Sequence, residues 1–407
     1  MINAIKHYLT ITFSYWAFTI TDGAIRMLVV LYFHQLGYSP LEIALLFLFY
    51  EFFGIVTNLV GGWLGSRIGL NLTMHIGMAL QIIALLALTV PTEWLSVAYV
   101  MAAQALSGIA KDLNKMSAKA SVKLMLPSSD NANESEKRLF KWVAILTGSK
   151  NTLKGAGYFI GGFLLAVAGF KGALWILAGA LFFTLAVTLV ILPNDIGKTK
   201  AKTKFTQLFS RSREINWLSA ARFFLFGSRD VWFVVALPVF LSASLGWSHS
   251  QTGAFLALWI IGYGFVQSSA PAFFRKHPVS GNTAIFWTFA LSIVPALIAA
   301  GLIYELPAQW LLMGGLALYA IVFALNSAVH SFLILNYSDH DKVSTNVGFY
   351  YMANAGGRLT GTVLSGWAYQ QYGLAGCLVI ACGFVLIAGM FSLPLSRTTS
   401  DKQRNSL

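Results

Sequence analysis

The chain has 407 residues, of which 57% are hydrophobic and only 11% charged, against about 25% charged in an ordinary soluble domain. Its net charge of +13 sits in the short breaks between apolar runs, the pattern of basic loops at a membrane's cytoplasmic face and not of a nucleic-acid binder. A soluble globular enzyme and a nucleic-acid partner are thereby excluded as expectations, and the chain reads as an all-α integral membrane protein held in lipid.

A span needs about 20 mostly apolar residues. Runs of that kind lie near 9–33, 40–64, 72–91, 95–114, 140–168 and 173–192, and again near 215–243, 250–270, 282–303, 310–336, 344–371 and 374–394. About twelve transmembrane helices are expected, in a six-helix bundle over 1–192, a cytoplasmic linker over 193–214 and a second six-helix bundle over 215–407. The first run is longer than a signal-peptide core and shows no small-residue cleavage site.

Charge sets the orientation. One side carries Lys6, Arg67, the basic residues from Lys111 to Lys141, the linker lysines from Lys198, then Arg275, Lys276, Lys342 and the C-terminal tail. The other carries only Lys171. Both termini are therefore expected in the cytoplasm.

The halves repeat. HQLGYSPLEIALL after the first span corresponds to SASLGWSHSQTGAFL after the seventh, with Gly37 on Gly246. KGAGYFIGGFLLAVAGFKGAL corresponds to RLTGTVLSGWAYQQYGLAGCL, so that Gly157, Gly162, Gly169 and Gly172 fall on Gly361, Gly366, Gly373 and Gly376. Parallel repeats of this kind place a transport site between halves.

Ionisable residues at membrane depth cost at least about 2.5 kcal/mol each and need a reason. Counting about 1.5 Å per residue from the outer helix ends puts Asp22, Lys154, Arg229, Asp230 and Arg358 near the middle of the membrane. Arg26 lies a turn further out than Asp22, and Lys150 a turn further in than Lys154. Asp22 and Arg26 share a face at four-residue spacing; that pair and Arg229–Asp230 read either as structural ion pairs or as part of the site. Asn346, Tyr350, Asn354 and Arg358 form a stripe on span eleven. Lys154 and Arg358 occupy equivalent places in the two halves, and as a pair of cations they suit a multiply charged anion. The candidate substrate-binding set is thus Lys154, Arg358, Arg26, Lys150, Arg229, Asn354 and Tyr350. Asp22, Asp230, Glu51 and His330 are candidates for ion coupling or structural ion pairs. Lys111, Lys115 and Lys119 recur every fourth residue on span four. They read either as snorkelling lysines at a helix end or as a cytoplasmic funnel for anions.

Two motif groups resemble known families. GGWLGSRIGLN after span two is similar to the loop signature of the major facilitator superfamily, with Gly62, Leu64, Arg67 and Gly69 matching and Ser66 in place of the usual Asp. Over nearly the whole chain, TDGAIRMLVVLYFHQLGYSP, GIAKDLNKMSAKAS, RLFKWVAILTGSKN and FLFGSRDVWFVVALPV resemble the organoarsenical efflux permeases of the ArsJ type. That resemblance implies efflux of 1-arseno-3-phosphoglycerate from a bacterial inner membrane, conferring arsenate resistance, with a glyceraldehyde-3-phosphate dehydrogenase as the functional partner that supplies the substrate.

Rival readings are an exporter of another organic anion, a drug-type multidrug exporter, an ion channel and a membrane enzyme. No nucleophile–base set and no ATP-binding loop is present in the sequence, and no cofactor or metal is expected. Cys377 and Cys382 point to different faces of a helix, a poor site for trivalent arsenic.

Overall fold

The computed structural model describes residues 2–38, 45–125, 132–192, 212–247, 249–275, 279–339 and 342–396. The linker expected over 193–214 lies outside these but for its last three residues, and so do Lys276, Ser39 to Ala44 and the C-terminal tail. Every long element is helical, and no strand occurs among the described residues. In chain order they are α1 (Ile2–Gln35), α2 (Leu48–Ile68), α3 (Leu70–Ala87), a short 3-10 turn (Thr92–Trp94), α4 (Val97–Met125) and α5 (Ala132–Ile191), followed by α6 (Arg213–Phe233), α7 (Ala236–Ala243), α8 (His249–Phe273), α9 (Gly281–Ile303), α10 (Ala308–Asn336) and α11 (Val343–Ser392).

Eight described stretches are long and apolar enough to cross a membrane. Two are of double length, and each breaks at a glycine: α5 at Gly169 (φ 68°, ψ 178°) and α11 at Gly373 (φ 63°, ψ −166°). Only glycine takes such a conformation without strain. These breaks fall where the sequence separates spans five from six and eleven from twelve. α2 and α4 complete twelve passes. α4 misses the apolar threshold because it carries Lys111, Asp112, Lys115 and Lys119. The repeat is visible in the backbone, since Gly37 and Gly246 also share a positive φ (87° and 68°).

Span seven is not one continuous helix. It is interrupted between α6 and α7, where Val235 leaves helical geometry (φ −121°, ψ −50°). Pro238 explains the break: it lacks an N–H, and its ring collides with the carbonyl four residues back. The freed donors are recovered by Ser365 of α11, whose Oγ accepts from Val235 N at 3.3 Å and Ala236 N at 3.1 Å.

The contacts divide the chain into two compact units. One comprises Met1–Trp142, Ser149–Phe209 and Ser338–Met352, the other Val143–Gly148, Ser210–Tyr337 and Ala353–Leu407. The first has an aliphatic core around Ala24, Leu28, Leu85, Val100 and Leu174. The second is more aromatic: Trp232 meets Trp259 and Tyr319 edge-on at 5.7 and 5.1 Å, and Trp259 Nε1 donates to Leu316 O at 2.8 Å. Large apolar side chains such as Phe163, Phe183, Val190, Phe286 and Trp310 point outward, as lipid-facing surface requires.

The charged helices cross closely. In the first unit α1 meets α5 at Gly157, where an added Cβ would lie 2.6 Å from Ile20 O and 3.1 Å from Gly23 Cα. In the second, α6 meets α11 at Gly361, where a Cβ would lie 2.5 Å from Gly227 O. Small residues at such crossings let backbones approach. Each sits one turn beyond a cation, Lys154 or Arg358, and sets that cation's distance from the helix opposite.

Candidate functional site

In the first unit Asp22 on α1 is the centre of a charged cluster. Lys154 Nζ on α5 donates to its Oδ2 at 2.9 Å, and Tyr50 on α2 donates to its Oδ1 at 2.5 Å. Arg26 reaches instead to Glu51 Oε1 at 3.2 Å, and Lys111 stands 3.8 Å from Glu51 Oε2 and 3.5 Å from Asp112 Oδ2. Lys115 bonds the other oxygen of Asp112. The Tyr50 ring carries two of these cations, with Arg26 Cζ 4.6 Å and Lys111 Nζ 3.9 Å from its centroid, a favourable placement over an aromatic face.

This corrects the expected Asp22–Arg26 pair. Although four residues apart on one face, they form no direct ion pair among the described residues: Asp22 is bonded by Lys154 of α5 and Tyr50 of α2, and Arg26 reaches Glu51 of α2. Lys111, Lys115 and Lys119 of α4 do not line an open funnel or snorkel outward either. Lys111 and Lys119 are buried, held by Glu51, Asp112 and aromatic rings. Lys119 Nζ donates to Tyr351 Oη at 2.5 Å, and Lys115 Nζ stands 4.4 Å from the Tyr351 ring centroid. Tyr350, in this same unit, is buried with its ring edge-on to Tyr351 at 5.1 Å. Lys150 is half-buried one turn before Lys154.

The second unit repeats the motif. Asp230 on α6 is chelated by its neighbour Arg229, with Nη2 at 2.5 Å and Nε at 2.7 Å from Oδ1, and Arg358 Nε on α11 donates to Oδ2 at 3.1 Å. The expected Arg229–Asp230 pair is present, but Arg358 shares the same carboxylate. Asn354 accepts from Arg222 Nε at 2.9 Å. His330 is fully buried on α10.

The acids lie behind the cations. The Asp22 side chain is 4% exposed against 15% for Lys154, and Asp230 is 0% exposed against 17% for Arg229 and 23% for Arg358. The carboxylates hold the cations without covering them, so each cation keeps a partly exposed face.

Sequence reasoning missed Arg222 and Tyr50. Arg222 is seven residues, and so two turns, before Arg229, and heptad spacing puts both on one face of α6. Tyr50 directly precedes Glu51, and only the fold shows that its hydroxyl meets Asp22. Among the described residues no cluster of His, Cys, Asp and Glu could hold a metal, and Cys377 and Cys382 are both free thiols.

Residues 11–299 match the family model described as Major Facilitator Superfamily. The chain belongs to the major facilitator superfamily. No curated protein sequence matches it. Solved structures of major facilitator transporters share the fold. A bacterial homologue of the iron transporter ferroportin, in an outward-facing state, aligns with TM-score 0.75 at 15% identity over 96% of this chain and 99% of its own. The human organic anion transporter MFSD10 (TETRAN) gives 0.74 at 16% identity over 95% and 99%. The proton:xylose symporter XylE gives 0.74 at 14% identity over 95% of each. At these identities the likeness speaks for the fold alone. The chain is accordingly a multi-pass membrane protein with the architecture of a secondary transporter.

Proposed function

We propose that this major facilitator protein is a carrier, not an enzyme, and exports a phosphorylated organic anion from the bacterial cytoplasm by alternating access of its two six-helix bundles, 1–192 and 215–407. The observation that carries the reading is the excess, among the described residues, of cations over carboxylates in both charged clusters. Arg26, Lys111, Lys115 and Lys154 meet Asp22, Glu51 and Asp112, while Arg229 and Arg358 share Asp230. Excess positive charge in a low-dielectric setting calls for an anion or water. An exporter of hydrophobic cations needs the opposite balance.

Within that class we take the substrate to be 1-arseno-3-phosphoglycerate, on the resemblance to the ArsJ-type permeases. Its phosphate, arsenate and hydroxyl groups offer only oxygens, which suit guanidinium and ammonium donors. Lys154 and Arg358, with Arg26, Lys150 and Arg229, are the anion-binding residues of this reading. A glyceraldehyde-3-phosphate dehydrogenase that accepts arsenate supplies the ester. Both termini face the cytoplasm of an inner-membrane protein, as the one-sided lysines and arginines favour.

The test is uptake into everted membrane vesicles, with arseno-phosphoglycerate made in situ by the dehydrogenase and compared with arsenate and 3-phosphoglycerate. Saturable uptake of the ester, dependent on the dehydrogenase, is expected. Uptake of arsenic at the same rate without the dehydrogenase would replace the ester by inorganic arsenate.

A further inference from the structure

Two turns along α6 from the Arg229–Asp230–Arg358 cluster, about 10 Å, the second unit holds another cationic centre. Arg222 is 3% exposed. Its Nε donates to Asn354 Oδ1 at 2.9 Å and its Nη1 to Ser327 Oγ at 3.2 Å, and its Cζ lies 3.6 Å from the Phe226 ring centroid. Gln267 Nε2 on α8 donates to the same Ser327 oxygen at 3.1 Å. The guanidinium is thus tied to α11 through Asn354 and to α10 through Ser327, which Gln267 of α8 also holds. Asn354 stands one turn from Arg358 on α11, which links this centre to the neighbouring cluster.

His330 lies one turn beyond Ser327 on α10, on the same face, and within electrostatic reach of Arg222. It is 0% exposed, and among the described residues neither ring nitrogen has a hydrogen-bond partner. The adjacent Ser331 hydroxyl is also buried and unpartnered. Buried polar groups are ordinarily satisfied. An imidazole one turn from the serine that holds an immobilised guanidinium supplies a second donor toward an oxygen ligand.

We propose that Arg222, Ser327 and His330 form a second anion subsite, which receives a phosphate-type oxyanion. The Arg222 fork contributes the charge, and His330 an N–H donor. This rests on the reading of the protein as an organic-anion carrier and refines it: one anionic end of the substrate is held at the Arg229–Arg358 cluster and the other at Arg222. A molecule with two anionic groups spaced along a short carbon chain is then preferred over an ion with one.

The experiment uses the full chain, purified in lipid nanodiscs, with inorganic phosphate and 3-phosphoglycerate as probes in isothermal titration. Vesicle uptake of the ester is measured in parallel. Arg222→Gln is expected to weaken binding of both probes at least tenfold, and Arg222→Lys to weaken it severalfold, because a point charge cannot replace a fork. His330→Phe should weaken phosphate binding, and His330→Gln, which retains a donor, should restore much of it. Size-exclusion profiles report folding, and Arg222→Lys carries the test if Arg222→Gln does not fold. Unchanged probe affinity in folded Arg222→Lys and His330→Phe would overturn the subsite, as would a wild-type protein that binds neither probe. If vesicles fail to move the ester while wild type binds phosphate and the variants lose it, the subsite stands and the substrate assignment falls. Wild-type KM for the ester in the variants does the reverse.

Discussion

Asp22 Oδ2 accepts from Lys154 Nζ at 2.9 Å across the α1–α5 crossing, and the second unit has the same acid-to-cation link across α6 and α11, Asp230 to Arg358 at 3.1 Å. A buried carboxylate on a bundle's first span thus anchors a partly exposed cation on its fifth, twice in one chain. Both cations are positioned by acids and still partly exposed, so the structural role and the proposed transport role can be tested separately. Lys154→Gln should lower stability by about 3 kcal/mol, the lower end for a broken buried pair, because the lysine keeps some solvent. It should also abolish ester transport. Adding Asp22→Asn should restore much of the thermal stability and none of the transport. Transport recovered in the double variant, measured in vesicles at matched protein abundance, would make Lys154 purely structural.

Tyr50 joins three charges. Its hydroxyl binds Asp22 and its ring carries Arg26 and Lys111. Tyr50→Phe removes only the hydrogen bond, worth about 1.5–3 kcal/mol when the acceptor is charged, and leaves the ring in place. Tyr50→Leu removes the ring as well. Transport is expected to fall in the order wild type, Phe, Leu, with thermal stability following. Equal loss in both variants would show that the ring contributes nothing.

The twelve spans, the repeat register and the glycines that break α5 and α11 were legible because hydropathy and glycine placement are local signals. The ion pairing was not. Spacing names neighbours on one helix, and on that basis Asp22 belonged with Arg26; only the tertiary crossing brings Lys154, 132 residues away, to the same carboxylate. Arg222 lies near the start of the run at 215–243, away from the mid-membrane positions that mark a charge as unusual. Its heptad relation to Arg229 was the available clue. The break after Phe233 was likewise announced by Pro238, within a run whose hydropathy concealed it.

Ser365 caps that break by accepting from Val235 N and Ala236 N. In lipid no water replaces such a partner. Ser365→Ala should therefore destabilise the protein by about 1–3 kcal/mol, the cost of leaving buried donors unmet. Ser365→Thr, which keeps the oxygen, should cost less. Thermal unfolding of the purified variants gives the comparison. A Ser365→Ala protein as stable as wild type would mean that the donors find another acceptor.

Gly157 and Gly361 test whether helix proximity sets the clusters' geometry. A Cβ at Gly157 would sit 2.6 Å from Ile20 O, and one at Gly361 2.5 Å from Gly227 O. Both obstacles are backbone, so neither can swing aside, and the helices must separate. Even a shift of about 1 Å lengthens Asp22–Lys154 or Asp230–Arg358 beyond good hydrogen-bond distance. Gly157→Val and Gly361→Val are expected to impair transport more than Gly179→Val, where a Cβ meets nothing within 4 Å. A stepwise series of Ala and then Val at each site should show transport falling with side-chain volume, while membrane abundance falls less. If Gly157→Val and Gly361→Val transport as well as Gly179→Val, the crossings tolerate expansion and the ion pairs do not depend on glycine-close packing.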